Sequence, residues 1–470
     1  MGKTICLVTY ELAPVNRGGA GVVIASLAEA LASAGHEVHL LADMPEKELA
    51  RYREIVAAKG HRTIFVHQLE TLAPVPAGST TIYGAKSGQF RDAIYALAKR
   101  VSFDLVEFFE YAGSAFETLV RRTPHDALAH TEIVVRIHGS LGMIDQVEGN
   151  AHVSTDRHTM YRMEEWALRL ADTVIAPLRG VGNQYQQIYG FDPARLRVCP
   201  PPMEQLLAEI GRPVARDSEL NEVVFYGKLQ SVKGCETFVD AGLLLTEGRP
   251  NLRFVLVGPD TNDAEGHSMR ARLDSLIAER WRGRFRFVSH IQRSELGALV
   301  SRALCAVVPS KAESFCLAAH ELHRVGAPLV LSDVPAFRDA FKAEQSCLFF
   351  DGTATDLAVQ IERLARHPEL ARKLGNSGND MHYPDLATMY ELDKPALNEM
   401  PHAAAFASRE VGSLGFWGVE HSRRHNRLTE LERAIEGGSA SAAWRFAKSV
   451  VPDSVRQPMR QMVNRIFPKS

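Results

Sequence analysis

The sequence predicts an α/β protein with two doubly wound parallel-sheet halves facing a central cleft, followed by a helical C-terminal extension. Short apolar runs alternate with helical patterns along most of the chain, which favours parallel sheets covered by helices on both faces. The alternation restarts after a proline-rich hinge, Cys199 to Met203. Because ligands of such sheets bind beyond the carboxyl ends of the strands, we expect one cleft shared by both halves.

The first half, residues 1–203, begins with the strand-like run Thr4–Thr9. A helix is predicted after the loop that ends in Gly18-Gly19-Ala20-Gly21, because apolar side chains then recur at helical spacing until Gly35 supplies the stop. The remaining apolar runs of this half predict the strands Glu37–Ala42, Thr63–His67, Asp104–Phe108, Ile133–Ile137 and Asp172–Ala176.

The second half, residues 204–380, repeats the alternation. Ser268 and Ser294 are predicted helix N-caps, because each stands just before a helical segment and its hydroxyl can accept from a free backbone N–H. The apolar runs of this half predict the strands Glu222–Tyr226, Arg253–Gly258, Arg284–Ser289, Leu304–Val308, Pro328–Ser332 and Cys347–Phe350.

Composition and charge narrow the function classes. The 470 residues suffice for two domains and an appendage, and 54 Lys plus Arg nearly balance 56 Asp plus Glu, which gives no reason to expect a nucleic-acid partner. No apolar run is long enough to span a membrane, and the early strand leaves no secretory signal. The six cysteines are scattered without a CxxC pair, so no metal cluster is expected. Cys6, Cys199, Cys305 and Cys347 lie in apolar runs and are predicted to be buried thiols in a reducing cytosol.

The most informative segment is Ser310–Glu321, SKAESFCLAAHE, which follows a predicted strand and leads into a predicted helix. Glu313 is expected in the loop and Glu321 about two turns into the helix. The backbone N–H groups of residues 315–317 would lie unpaired at the helix N-terminus, where a phosphate binds well. A carboxylate on either side suits hydroxyls at both ends of a nucleotide sugar. A solvated helix face is the alternative interpretation of this spacing.

Three further loops follow predicted strands. Gly18 and Gly19 would let backbone approach a ligand closely, although a merely flexible loop has the same composition. Lys228 and Lys233 lie five residues apart and could neutralise a diphosphate, or be ordinary exposed lysines. His138 could hydrogen-bond a sugar hydroxyl or be a structural histidine. Their common position at strand ends is stronger evidence than any one motif.

In combination and order, the motifs GKLQSVKG, VLVGPD, SHIQRSEL, VPSKAESFCLAAHE and GAPLVLSD resemble those of the retaining nucleotide-sugar glycosyltransferases of family 4. The resemblance covers residues 3–378 and is weaker in the first half, where the Gly-Gly loop and VVRIHGS match. It implies the two-Rossmann-domain architecture called GT-B. It also implies transfer with retention of the anomeric configuration, with no metal or other cofactor and with a nucleotide-diphosphate sugar as co-substrate.

The resemblance also implies residue roles. Glu321 would bind the ribose hydroxyls of the donor, and Ile291 would lie against the nucleobase. Glu313 would sit beside the donor sugar, and His138 would contact that sugar and help to place the acceptor. The groups expected at the diphosphate are Lys228, Lys233, the Gly18-Gly19 loop and the backbone of Phe315, Cys316 and Leu317. Of all these residues, His138, Lys228, Lys233 and Glu313 form the expected catalytic set.

Two residues depart from the family pattern. The family commonly has arginine at Lys228, and the change replaces a bidentate fork with a point charge. It commonly has glycine at Cys316, and the change reduces the freedom of the backbone to approach a phosphate. Both departures leave room for an unusual donor.

The last part of the chain, residues 381–470, has a different composition. Within residues 443–470, six basic side chains stand against one acid and alternate with apolar residues. Residues 440–470 could lie on an anionic membrane on the cytoplasmic side, or form a helix that packs back on the first domain. The first alternative would suit a lipid-linked acceptor.

The leading hypothesis is therefore a hexosyltransferase that acts on a glycan, lipid-linked or other hydroxyl acceptor in surface polysaccharide or glycoconjugate synthesis. A GT-B epimerase acting on the nucleotide sugar and a non-catalytic nucleotide-sugar-binding subunit are the alternatives. Selection of base, sugar and acceptor in such a cleft depends on a few side chains and on its shape, and the motifs above are common to many donors and acceptors.

Overall fold

The computed structural model of this protein describes residues 2–15, 18–76, 79, 81–149, 154–208, 210–211, 220–262 and 266–377. The predicted helical extension and basic tail, residues 381–470, lie outside the described residues. The described residues form two parallel sheets with helices between successive strands, as the sequence predicts.

The first sheet has seven parallel strands in the order β3-β2-β1-β4-β5-β6-β7. Its strands are β1 (Thr4–Thr9), β2 (Glu37–Ala42), β3 (Ile64–Gln68), β4 (Leu105–Phe109), β5 (Glu132–Arg136), β6 (Thr173–Ala176) and β7 (Leu196–Val198). The helices of this half are α1 (Gly19–Ser33), α2 (Glu46–Ala58), α3 (Leu69–Leu72), α4 (Ile82–Ala98), α5 (Phe116–Arg121), α6 (Leu141–Glu148), α7 (Thr155–Leu170), α8 (Arg179–Tyr189) and α9 (Met203–Leu207).

The second sheet has six parallel strands in the order β10-β9-β8-β11-β12-β13. They are β8 (Glu222–Tyr226), β9 (Arg253–Val257), β10 (Phe285–Val288), β11 (Ala303–Val308), β12 (Leu329–Ser332) and β13 (Cys347–Phe350). Its helices are α10 (Cys235–Leu245), α11 (Met269–Leu276), α12 (Leu296–Ser301), α13 (Leu317–Arg324), α14 (Pro335–Ala340), α15 (Ala354–Arg366) and α16 (Pro368–Asn376).

The strand order reverses beside the first strand of each sheet. In the first sheet β1 lies between β2 and β4, and in the second β8 lies between β9 and β11. A crevice opens at such a switch point, outside the carboxyl ends of the strands. The loops that carry the predicted site residues leave the sheets at these ends, so the topology directs them into one region.

Sequence patterns located nearly all strands to within one residue at each end, because buried parallel strands are continuous apolar runs. The N-cap at Ser268 is confirmed, since its hydroxyl accepts from the N–H of Ala271 at 3.0 Å. The N-cap at Ser294 is wrong. Gln292 and Glu295 instead form a reciprocal capping box around a short 3-10 turn, and α12 begins only after that turn.

The chain crosses between the two halves over the three prolines that follow Cys199. The Cys199 side chain is buried in the core of the first half, beside Ile175. Met203 and Leu206 are buried in a core of the second half, beside Val224. The α9 helix therefore packs with the second sheet, although it directly follows the last strand of the first.

A buried ion pair joins the central strands of the first sheet. The guanidinium of Arg136 on β5 donates to the carboxylate of Glu107 on β4 at 2.6 Å, and both side chains are almost fully buried. The same guanidinium donates to the carbonyl of Cys199 at 3.1 Å. The pair therefore connects the middle of the sheet to the start of the segment that crosses between the halves.

Within the described residues, the helices are all too short or too polar to cross a bilayer.

We expect Glu107→Ala to lower the free energy of unfolding by about 3–5 kcal/mol, because the substitution removes the carboxylate of a buried ion pair while the Arg136 charge stays buried. The matched control is Glu279→Ala, which breaks the exposed pair with Arg282 and should change stability by less than about 1 kcal/mol. Urea unfolding of the two variants makes the comparison. Equal losses would show that the buried pair contributes no more than a surface pair.

Candidate active site

A cleft of about 660 Å³ opens between the carboxyl ends of the two sheets. Both halves line it, and most of the predicted site residues are among its walls. The first half contributes Gly19, Val23, Arg136, Ile137, His138, Pro177 and Pro201, and the second contributes Lys233, Glu313, Ser314, Phe315, Cys316 and Leu317. A smaller cavity of about 360 Å³ adjoins it on the side of the second half, where Tyr226, Gly227 and Ser310 join Lys233 and Glu313 in its lining.

The Lys233–Glu313 ion pair lies where the two cavities meet. The Lys233 ammonium is 2.6 Å from a Glu313 carboxylate oxygen, and the hydroxyl of Ser310 donates to the same oxygen at 2.8 Å. The Glu313 side chain is only 6% exposed, so the lysine offsets a charge that solvent barely reaches. Burial acts to lower the pKa of Lys233, but the Glu313 charge outweighs it and raises that pKa, which keeps the ammonium charged.

The turn from Phe315 to Leu317 brings backbone N–H groups to the cleft. The Phe315 ring stacks on His320 of α13 at 4.2 Å between centroids, which anchors the turn against its own helix. Cys316 adopts φ +65° and ψ +78°, a conformation that glycine reaches more easily than any residue with a side chain. The backbone of Cys316 is therefore strained at the position where the sequence resemblance leads us to expect glycine.

Glu321 lies closer to the helix start than the sequence pattern predicts. The α13 helix begins at Leu317, so Glu321 follows after little more than one turn and not after two. Its carboxylate accepts from Arg293 at 2.6 Å, and Tyr226 also hydrogen-bonds to it. Burial raises the pKa of Glu321 against the opposing effect of Arg293. Sequence reasoning missed Arg293 and Tyr226, which are distant along the chain.

Four predicted donor-binding residues are not among the residues that line the cleft: Gly18, Lys228, Ile291 and Glu321, the last of which is buried behind the wall beside Tyr226. Lys228 is exposed, and within the described part of the chain its side chain forms no hydrogen bond or ion pair. Ile291 is half-buried at the edge of a core of the second half. Gly18 is the N-cap residue of α1 and precedes Gly19, which does line the cleft. The carboxylate of Glu11, a residue that sequence reasoning missed, fills the space where a side chain at Gly18 would stand.

His138 and Gly19 lie next to each other in the wall that the first half contributes to the cleft. Its ring packs on Phe109 at 4.9 Å, and its Nε2 lies 3.6 Å from where a Cβ at Gly19 would stand. Burial, aided by the Lys233 charge, lowers the pKa of His138 to about 4. The imidazole is therefore neutral at pH 7, and each ring nitrogen can donate or accept according to the tautomer.

Two buried glutamates that sequence reasoning missed hold the loop between β5 and α6. Glu110 accepts from the N–H of His138 at 2.9 Å, from the N–H of Gly139 at 2.7 Å and from the Tyr185 hydroxyl at 3.2 Å. Its side chain is fully buried, and burial raises its pKa to about 7 against these hydrogen bonds. Glu110 thus fixes the backbone that carries the His138 ring.

Glu164 on α7 binds backbone N–H groups at the start of α6, just after the segment that Glu110 holds. Its carboxylate accepts from the N–H groups of Leu141 at 2.8 Å, Gly142 at 3.0 Å and Ala112 at 3.0 Å. Burial raises the pKa of Glu164 to about 8. The N-terminal donors of α6 are therefore occupied by a protein carboxylate, whereas those of α13 face the cleft.

The loops of the two halves touch across the cleft. The hydroxyl of Ser314 donates to the backbone carbonyl of His138, and the N–H of Val232 donates to the Glu148 carboxylate at 3.2 Å. Within the described residues, no group of three or more histidine, cysteine or carboxylate side chains is placed to hold a metal ion.

Two protein-family models match the chain. The family described as Glycosyltransferase Family 4 matches residues 17–204, and the family described as Glycosyl transferases group 1 matches residues 208–381. Together these matches span more than half of the chain and both sides of the cleft. The chain belongs to the family 4, group 1 glycosyltransferases, and its two-sheet architecture is the GT-B fold.

Curated relatives agree with this assignment. A D-inositol 3-phosphate glycosyltransferase from Thermomonospora curvata is 25% identical over 404 residues, which cover 76% of this chain and 85% of the relative. A glycogen synthase from Mycobacterium tuberculosis is 24% identical over 357 residues, which cover 72% of this chain and 79% of the relative.

Solved structures share the fold. A sucrose-phosphate synthase from Thermosynechococcus elongatus superposes with a TM-score of 0.63 at 21% identity, covering 88% of this chain and all of that one. The Anabaena protein Alr3699/HepE, solved in complex with UDP and glucose, superposes with a TM-score of 0.55 at 14% identity, covering 88% of this chain and 99% of that one.

We expect the pH dependence of stability to report the burial of Glu110. The carboxyl group of Glu110 has a pKa of about 4.5 in the unfolded chain and about 7 in the folded protein. The folded state therefore binds the proton of Glu110 more tightly. The resulting contribution to the free energy of unfolding is fully present below about pH 4.5 and is lost as the pH rises to 7. The loss amounts to about 3 kcal/mol. Unfolding free energies of Glu110→Gln across this range should show a correspondingly smaller decline.

The control for this experiment is Glu54→Gln, which changes an exposed glutamate on α2 and should keep the wild-type pH dependence. If Glu110→Gln also kept the wild-type decline, the Glu110 carboxyl would not be the group that titrates.

Proposed function

We propose that this protein transfers a hexose-type sugar from a nucleoside diphosphate sugar to a hydroxyl acceptor, with retention of the anomeric configuration. One observation carries the proposal: the Lys233–Glu313 pair lies beside the 315–317 turn and faces His138 across a cleft between two Rossmann-like halves. A cation, free backbone donors, a carboxylate and a neutral imidazole are together the groups that a sugar diphosphate requires.

The diphosphate would bind at the 315–317 turn. Helix α13 begins there, and its first N–H groups and its dipole favour an anion. Lys233 supplies a fixed positive charge, and the exposed Lys228 is free to swing towards the same phosphates. These groups would stabilise the charge that develops on the leaving diphosphate. The structural neighbour solved with UDP, and a starch synthase solved with ADP, support a nucleoside diphosphate as the ligand class.

Glu313 and Glu321 would bind the two hydroxyl-bearing parts of the donor. Glu313 has one oxygen engaged by Lys233 and Ser310, and the Cys316 thiol also hydrogen-bonds to its carboxylate, so hydroxyls of the sugar would use the acceptor capacity that remains. Glu321 would accept from the ribose in the same way while Arg293 holds its first oxygen. Both glutamates are thus pre-oriented by a cation, at the cost of part of their hydrogen-bonding capacity.

The leaving phosphate is the base that we assign to the transfer. His138 is a weak base at neutral pH because its pKa is depressed, and Glu313 is neutralised by its lysine. The bond between the anomeric carbon and the phosphate oxygen would break as the acceptor oxygen approaches from the same face. The acceptor proton would then pass to the departing phosphate oxygen. This course needs no metal and no covalent enzyme intermediate.

The acceptor is a glycan, a lipid-linked glycan or another hydroxyl compound, and the setting that we propose is cytoplasmic polysaccharide or glycoconjugate synthesis. A relative named glycogen synthase supports a saccharide acceptor. A membrane contact through residues 440–470 stays a proposal from their basic amphipathic composition.

Incubation of the full chain with a panel of nucleoside diphosphate sugars and saccharide acceptors tests the proposal. We expect free nucleoside diphosphate and a glycosylated product whose anomeric proton coupling, measured by NMR, matches that of the donor. Conversion of the donor to an epimer would instead identify an epimerase. Binding of donors without turnover under all acceptor conditions would identify a non-catalytic subunit.

We expect Lys233→Met to weaken binding of the product nucleoside diphosphate by about 10–100-fold, because a charge-assisted contact to phosphate contributes about 1.5–3 kcal/mol. Isothermal titration calorimetry measures the change. Lys342→Met removes an exposed lysine outside the cleft and should leave the affinity unaltered. Unchanged affinity in Lys233→Met would place the diphosphate elsewhere.

A further inference from the structure

Cys316 combines a strained backbone with a position in the donor cleft. Among the described residues, those other than glycine that have a positive φ are Ala112, Cys316 and Glu344, and of these only Cys316 lines the cleft. A side chain in this conformation costs free energy that glycine does not. Such strain persists where the surrounding structure imposes it, and it is concentrated at functional sites. The strain therefore directs attention to what the Cys316 side chain contributes.

The Cys316 side chain contributes a hydrogen bond to Glu313. Its S–H group donates to the Glu313 carboxylate, and both residues line the main cleft and the smaller cavity beside it. Burial and the Glu313 charge raise the pKa of the thiol well above its usual value, although the Lys233 charge acts in the opposite direction. At pH 7 the sulfur is therefore a neutral S–H donor and not a thiolate.

The Glu313 carboxylate accepts from three groups of the protein. Lys233 at 2.6 Å and Ser310 at 2.8 Å donate to one oxygen, and the Cys316 thiol is the third donor. A carboxylate has about four acceptor positions, so about one position is left for a ligand. A sugar that brings two neighbouring hydroxyls to Glu313 therefore binds fully only if its second hydroxyl displaces a protein donor.

The thiol is the donor that a hydroxyl displaces most easily. The bond from Lys233 to Glu313 joins two opposite charges, which makes it the strongest of the three. Ser310 is a buried hydroxyl, and a hydroxyl is a stronger donor than a thiol. When a sugar lacks the second hydroxyl, the thiol keeps its bond to Glu313. No additional acceptor position of this buried carboxylate is then left empty.

We infer that Cys316 is a specificity-determining residue: its thiol takes the place of one donor-sugar hydroxyl at Glu313, so the enzyme also accepts deoxy sugars that lack this hydroxyl. The inference rests on the proposed function, since it describes the sugar of the same nucleoside diphosphate donor. A site that depends on a substrate hydroxyl rejects the analogue without it, because a buried polar group of the site is left unpaired. The Cys316 thiol removes this penalty.

Glycine at residue 316 would restore the penalty. Without the thiol, Glu313 would depend on the sugar for one more hydrogen bond, and a deoxy analogue would leave that acceptor position empty. The loss of a hydrogen bond to a charged group corresponds to about tenfold or more in affinity. Glycine also adopts the left-handed conformation of this residue without strain, so the fold is not at risk in Cys316→Gly.

Isothermal titration calorimetry on the full chain tests the inference with matched ligands. The parent ligands are UDP-glucose, ADP-glucose and GDP-mannose, and the one that binds most tightly is compared with its 2-, 3-, 4- and 6-deoxy analogues. For at least one analogue, we expect wild-type affinity within about threefold of the parent and Cys316→Gly affinity about tenfold or more below the parent. Equal ratios of parent to analogue in the two proteins, for all four analogues, overturn the inference.

Three further variants separate the hydrogen bond from the shape of the side chain. Cys316→Ala removes the donor but keeps the Cβ, so it should show the ratio of Cys316→Gly. Cys316→Ser keeps a donor and should retain the wild-type ratio. Glu344→Gly, the matched control, relieves a left-handed backbone of φ +61° at an exposed residue outside the cleft and should leave every ratio unchanged. A wild-type ratio in Cys316→Ala would overturn the role of the thiol as a donor.

The outcomes separate this inference from the proposed function. If the nucleotide sugars bind with the expected ratios but no sugar is transferred, the proposed transfer fails and the role of Cys316 stands. If transfer proceeds and the ratios are the same in wild type and Cys316→Gly, the proposed function stands and the inference fails. If none of the three parent ligands binds, the donor site itself is wrong and both fail.

Discussion

Backbone N–H groups at the turns between strand and helix must find acceptors, and this requirement organises the cleft. In the first half, two buried glutamates meet it: Glu110 serves the turn after β5, and Glu164 serves the start of α6. In the second half, the corresponding turn at residues 315–317 has a lysine beside it. In the wall from the first half, protein carboxyl groups accept from the backbone N–H groups of these turns. In the wall from the second half, the N–H groups of the turn are positioned to bind a ligand.

The two loops of the cleft are held in different ways. The loop that carries His138 is fixed from behind by Glu110, so the ring does not depend on a ligand for its position. The loop that carries Glu313 is fixed through side chains that would also contact the donor, namely Lys233 and Ser310. A bound diphosphate would thus join an existing charge network instead of assembling a new one.

Sequence patterns predicted the fold better than the site. Continuous apolar runs marked the buried strands, whereas β7 was missed because its three residues are only half-buried. Glu313, Lys233 and His138 could be found because each follows a strand. Glu110, Glu11 and Arg293 could not, since their partners lie far along the chain or within loops of no regular period. The apparent cap at Ser294 failed because a glutamine two residues earlier supplied a reciprocal pair.

The hydrogen bond from Ser314 to the carbonyl of His138 ties the two halves together directly at the cleft. In a complex that keeps these loops apart, the free energy of the broken hydrogen bond is subtracted from the free energy of binding. Removing that single hydroxyl would then tighten nucleotide binding, the reverse of what loss of a wall residue usually does. The Ser314 hydroxyl would therefore lower the affinity for the nucleotide and speed dissociation of the product nucleoside diphosphate.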